Sequence, residues 1–165
     1  MPPLLATATY LCGGAETLRN RRYGVIEAAE GEFRQIRLRP YPKLLLLPEL
    51  LFGRWYHTRR PGDRCLIYYN QPWRHRNYLA IAYVLSARDT RLATVYRALE
   101  ALDEVARLKN TDALLCDAVN WRISKEILSR LGWVPHCPSR WHRHYIRRYY
   151  GAYPPRPGWL VAAEA

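Results

Sequence analysis

Two apolar runs of strand length, "YLAIAYVLS" (Tyr78–Ser86) and "DALLCDAV" (Asp112–Val119), flank a segment patterned as a helix. Near-continuous apolarity over so short a run marks a strand covered on both faces. Between the runs, Leu92, Val95, Tyr96, Leu99, Leu102 and Ala106 recur at helical spacing and form one stripe. Arg91, Arg97, Glu100, Glu104 and Arg107 occupy the other side. The pattern predicts a helix over 91–108, capped by Asp89 or Thr90, ended near Asn110, with Asp103 and Arg107 as an i,i+4 pair. Strand, long helix and strand make a β-α-β unit. Its crossover is right-handed, so the two strands must lie parallel in one sheet.

The segment after the second run reads as another helix. Asn120 can cap "WRISKEILSRL", Ile123, Ile127, Leu128 and Leu131 form its buried side, and Gly132 takes the left-handed position after its end. Trp133 can then pack back on Leu128. In "SRWHRHYIRRYYGAYP" (Ser139–Pro154), an extended chain puts Trp141, Arg143, Tyr145, Arg147 and Tyr149 on one face. His142, His144, Ile146, Arg148 and Tyr150 fall on the other, which suits a closing strand. Beyond Gly151, "AYPPRPG" cannot continue a strand. The expected division is a single α/β (α+β) domain over 1–151, a mixed central sheet with helices on both faces, followed by a flexible Pro-rich tail over 152–165.

The first half is less regular. "RRYGVIEA" (Arg21–Ala28) and "EFRQIRLRP" (Glu32–Pro40) read as two strands joined by a turn at Glu30–Gly31, with Ile36 and Leu38 inward and Arg37 and Arg39 outward. "KLLLLPELLFGRWY" reads as a strand broken at Pro48 and then a helical turn. "PGD" is a turn, "RCLIYY" (Arg64–Tyr69) a strand, and "QPWRHRN" a loop.

Length and charge set further bounds. A chain of 165 residues can bury a sizeable core. Its 26 Lys+Arg against 14 Asp+Glu give a net charge of +12, a surface that attracts polyanions such as nucleic acid, anionic membrane or a phosphate-rich cofactor. Cys12, Cys65, Cys116 and Cys137 form no C-x-x-C pair, so reduced thiols in a cytoplasmic protein are the simplest reading. The first residues lack the basic start and long apolar run of a secretion signal, and no stretch has the roughly 20 apolar residues of a membrane span.

Taken in order over Tyr78–Tyr150, a buried strand, a long helix, a buried strand, a short helix opened by Asn and closed by Gly-aromatic ("NWRISKEILSRLGW") and a last strand resemble the C-terminal half of GNAT-type acyltransferases. The resemblance implies a GNAT-like domain that binds acyl-CoA and transfers the acyl group to an amine, or a degenerate relative without catalysis. In that family the pyrophosphate rests on amides at the start of the long helix, in a Gln/Arg-x-x-Gly-x-Gly/Ala loop. The matching span here is Arg88–Ala93, with Arg91 in place of the central Gly. The resemblance thus implies a cofactor site at Val84, Ser86, Arg88, Arg91, Leu92, Ala93 and Asn120. The family's frequent acid, a Tyr four residues before the closing Gly, is Leu128 here, and Tyr78–Ser86 carries no Glu to serve as base. No catalytic residue is therefore assigned from the sequence.

Three further groupings bear on function. His136, Cys137, His142 and His144 lie close together but match no zinc spacing, so no metal is expected. Asp117 and Asn120 sit where a parallel strand ends, the usual ligand-facing end of an open α/β sheet. The basic aromatic stretch offers an alternative function, a nucleic-acid-binding or ribosome-associated module using Arg143, Tyr145, Arg147 and Arg148.

Overall fold

A computed structural model of the chain describes residues 6–8, 15–42, 61–117, 125–137 and 143–162. In chain order the elements are β1 (Ala6–Ala8), α1 (Ala15–Asn20), β2 (Tyr23–Ala29), β3 (Glu32–Arg39), β4 (Arg64–Asn70) and β5 (Tyr78–Ser86). Then follow α2 (Leu92–Leu108), β6 (Ala113–Asp117), α3 (Lys125–Arg130), β7 (Val134–Pro135), β8 (His144–Arg148) and α4 (Gly158–Ala162). The eight strands form one mixed sheet in the order β1-β3-β2-β4-β5-β6-β8-β7. The two apolar runs are neighbours and parallel, with Tyr78 opposite Ala113 and Ile81 opposite Cys116. Every other pairing is antiparallel.

The core follows from strand alternation. Register sets Ile26 beside both Ile36 and Ile67, Leu79 beside Leu114, and Cys116 beside Tyr145. These residues face α2 and join one buried cluster with Leu18, Ala98, Leu102, Val105, Leu128, Trp133 and Leu160. All four described helices thus contribute to the core on one side of the sheet. The opposite face is more polar: Glu27 accepts a hydrogen bond from Gln35 and pairs with Arg64 at 2.6 Å. Val25, Leu66, Ala113 and Ile146 are nevertheless buried there. The helical turn expected near Pro48 and the Asn120 start of the following helix lie outside the described residues.

Local signals at the helix ends behave as their chemistry dictates. Gly132 has φ +79° and the Trp133 amide donates to the Leu128 carbonyl at 2.9 Å, a Schellman closure that seats Trp133 in the core. Asn110 adopts φ +52° after α2. Three expectations are corrected. Of the expected stripe on α2, Leu102 and Ala106 are buried and Val95 and Leu99 pack against the core, but Leu92 is 57% and Tyr96 41% exposed, and the buried face is completed by Thr94, Ala98, Ala101 and Val105. Small residues let the helix axis approach the sheet closely, and that outweighs the apolar stripe. Asp103 pairs with Arg147 at 3.0 Å, and Arg107 turns to Glu104 and to the Tyr153 ring. Residues 152–162, expected to be a loose tail, are a docked strap. Leu160 is 1% exposed, Trp159 stacks on Phe33 with centroids 5.3 Å apart, and Arg156 pairs with buried Glu104 at 2.6 Å.

Candidate cofactor site

The pairing of β5 with β6 stops at Ile81–Cys116, yet β5 continues to Ser86. At the same point its register against β4 shifts: Tyr68 opposes Tyr83 and Tyr69 opposes Ile81, so Ala82 is an extra, bulged residue. A bulge bends its strand and raises the local twist. The described pairing of β5 with β6 ends just before this bulge, at Ile81 and Cys116. Past the bulge, Val84 and Ser86 align with Ile67 and Cys65 on the α2 side of the sheet.

The start of α2 adjoins this end of β5. Arg88 is exposed in the connecting turn, and Thr90 donates its hydroxyl to the Arg64 and Ala87 carbonyls, so it does not cap the helix. Arg91 is the N-cap residue, with extended backbone (φ −77°, ψ 151°) and no side-chain cap of its own. Asp63, at the edge of β4, supplies the missing cap. Its carboxylate accepts the Arg91 amide at 3.0 Å and the Arg91 Nε at 2.6 Å. Burial pushes the Asp63 carboxyl up. The Thr94 hydroxyl and the Arg91 amide and guanidinium outweigh burial and hold it below the usual carboxylate value. Thr94 Oγ1 also accepts the Gly31 amide at 2.9 Å, tying the β2–β3 turn to the same helix. The next two amides, of Leu92 and Ala93, have no partner among the described residues and point out of the first helical turn.

Of the sequence-derived residues, Val84 and Ser86 stand on the last part of β5, Arg88 in the connecting turn, and Leu92 and Ala93 in the first turn of α2. Arg91 lies there too, but its guanidinium is committed to Asp63. Asn120 lies outside the described residues. Asp63, Thr94 and the bulge at Ala82 were not foreseen. "PGD" reads as a turn, and nothing in it announces that the acid caps a helix 28 residues later.

On β6, Asp117 follows directly on Cys116, the last residue paired to β5, and stands 3.9 Å from His144 Nδ1. Both are partly exposed and lie on the face opposite α2. Burial pushes the Cys116 thiol up to about 12, aided by Asp117, so it is no nucleophile. Of the nucleic-acid residues expected on β8, Tyr145 is 5% exposed, and Arg147 is held by Asp103 and lies over Tyr149. Arg143 lies over Tyr145 and donates to its hydroxyl; only Arg148 is exposed. Arginine and aromatic side chains here are packing partners. His136 and Cys137 meet at 3.5 Å, but among the described residues no three metal-ligating side chains converge. Nor is any described helix long and apolar enough to cross a membrane.

Fold and site together define a mixed α/β domain whose bulged strand ends beside a helix N-terminus. A crystal structure of nourseothricin acetyltransferase is similar in outline, with a TM-score of 0.42, 16% identity, and coverage of 88% of this chain and 99% of that one. No protein-family model and no curated protein matches the chain.

Proposed function

We propose that the chain is an acyl-CoA-dependent acyltransferase acting on an amine. The observation that carries this reading is the pair of outward amides of Leu92 and Ala93 at the start of α2, which have no partner among the described residues and adjoin the end of β5. A strand edge binds an extended ligand through alternating amide hydrogen bonds. A helix start binds a diphosphate through outward amides and the positive end of the dipole. Coenzyme A joins those two chemistries in one molecule, a chain with two amides ending in a diphosphate. The site suits it, with one departure: the Asp63 carboxylate already occupies the Arg91 amide, which leaves Leu92, Ala93 and the Arg88 side chain for the phosphates.

The reacting bond then lies toward the ends of β5 and β6. There the amine nitrogen attacks the thioester carbonyl, the C–N bond forms, and the C–S bond breaks. The amine proton passes to solvent, while the thiolate leaves and takes a proton from solvent. The chain holds both reactants in register and supplies amide dipoles where negative charge develops. Coenzyme A should raise the melting temperature, less so in Arg88→Glu, with the difference persisting at moderate salt. If millimolar coenzyme A leaves the melting temperature unchanged, the assignment is wrong.

A further inference from the structure

The end of the sheet remote from the cofactor site has a different surface. There β2, β5 and β6 begin and β3, β4 and β8 end, as the pairings of Tyr23 with Arg39 and Asn70, and of Ala113 with Tyr78 and Arg148, establish. The three most exposed large side chains of the described residues project from this end: Tyr41 at 70%, Trp73 at 68% and Tyr150 at 73%. Each extends from a different connection: after β3, between β4 and β5, and after β8.

Arginines surround them without carboxylate partners. Arg74, Arg76 and Arg148 are exposed, Arg21 and Arg22 half-buried, and none of the five has an ion pair. Other arginines of the described residues are paired: Arg34, Arg64, Arg91, Arg97, Arg147 and Arg156 each hold an acid. Asp112, a carboxylate at this end, takes a hydrogen bond from Asn77 at 2.9 Å. The field also reaches Lys109, whose ammonium is pushed down to about 8 by burial and by Arg22.

The Trp73 loop is braced. Gln71 is 7% exposed, its amide donates to the Arg22 carbonyl, and its side-chain oxygen accepts from Lys109 Nζ at 3.1 Å. At the other end Tyr78 donates to the His75 carbonyl and Asp112 to the Asn77 carbonyl. The loop therefore presents an indole to solvent from an ordered base.

From this arrangement we infer that this end of the sheet binds single-stranded nucleic acid. Unpaired guanidiniums contact phosphates while flat aromatic faces stack on bases. The spacing fits. Strands lie about 4.8 Å apart, so Tyr41, Trp73 and Tyr150 spread over roughly 24 Å, with Trp73 near the middle. A flexible single strand can reach all three, whereas a stacked duplex offers no base faces to them. An anionic bilayer shares the affinity for a basic surface; among the described residues the exposed large apolar side chains at this end are Tyr and Trp, whose flat faces suit stacking on bases.

The test is fluorescence anisotropy of a labelled twelve-residue oligouridine on the full chain, over a salt series. Binding should weaken as salt rises, with log K falling by about 0.7 per phosphate neutralised for each tenfold rise in salt. Arg74→Glu with Arg76→Glu should weaken it about tenfold or more, and Trp73→Ala about fivefold to a hundredfold. These positions are exposed, so melting temperatures should hold. Arg34→Glu, on β3 near the opposite end of the sheet, should leave affinity within about twofold. Three results overturn the inference: no binding at low salt, equal loss in Arg34→Glu, or equal affinity for a duplex with no effect of Trp73→Ala. Capture by phosphatidylserine vesicles without oligouridine binding also overturns it and assigns the surface to membrane.

Discussion

Asp63→Asn isolates the contact that organises the start of α2. The wild-type carboxylate accepts the Arg91 amide at 3.0 Å and its Nε at 2.6 Å, at 11% side-chain exposure. Asparagine keeps the shape, loses the charge and turns one acceptor into a donor facing Arg91. A helix cap is worth about 1 kcal/mol and a charge on the dipole about 0.3–1 kcal/mol. The Arg91 guanidinium is 65% exposed, so screening leaves its share below 1 kcal/mol. The variant should therefore lose about 1–2 kcal/mol at pH 7, or roughly 2–8 °C in melting temperature for a chain of this size. The sign with pH follows from the lowered carboxyl of Asp63. Its contribution is full above about pH 4, the unfolded value, and vanishes as pH falls through the folded one. Urea titrations from pH 7 to pH 3 should show the two proteins converge in stability. Coenzyme A should bind the variant at least as tightly, because a negative charge has left the diphosphate's neighbourhood. Equal stability at pH 7, or a difference that persists in acid, would refute the reasoning.

Other outcomes follow from packing. Deleting residues 152–165 should cost about 3–5 kcal/mol in urea unfolding, since it uncovers the core at Leu160 and strips Arg156 from Glu104, which is 2% exposed. Tyr69→Phe should be neutral or stabilising by up to about 1 kcal/mol, because the Tyr69 hydroxyl is buried with no hydrogen-bond partner. Gly24→Ala should cost about 1–3 kcal/mol, its new Cβ meeting the Tyr69 hydroxyl at 2.5 Å, and Tyr69→Phe should relieve part of that loss. Lys109 has a folded value of about 8, below the unfolded one, so stability should rise with pH from about 8 to 9.5 and the slope should vanish in Lys109→Met.

The β5–α2–β6 unit was legible because each part carries its own periodicity: two apolar runs, one helical stripe, and a crossover rule that fixes direction. Gly132 and Trp133 were legible because the left-handed closure needs that pair of residue types. The face of α2 was misjudged in part because apolar spacing weighs Leu92 and Tyr96 above alanines, while the sheet selects the small side chains of Ala98 and Ala101. The strap was misjudged because its prolines rule out a strand but not docking; its anchors, Arg156, Trp159 and Leu160, find partners far off in sequence. For the same reason Asp63 was not legible. A cap delivered from another strand leaves no local pattern. The bulge at Ala82 has none either, since it exists only as a mismatch between two strands.

The central claim, a coenzyme A site at the end of β5 and the start of α2, is most directly tested by calorimetry on wild type and Leu92→Pro. Leu92 is the first helical residue, 57% exposed, its amide is unpaired, and Arg91 before it is already extended. Proline fits that position and removes one outward amide while sparing the helix. The account predicts binding of coenzyme A to wild type and a loss of about tenfold or more in Leu92→Pro, with the melting temperature of the free protein unchanged. Absence of binding to wild type at millimolar coenzyme A, or equal affinity in the two proteins, would contradict it.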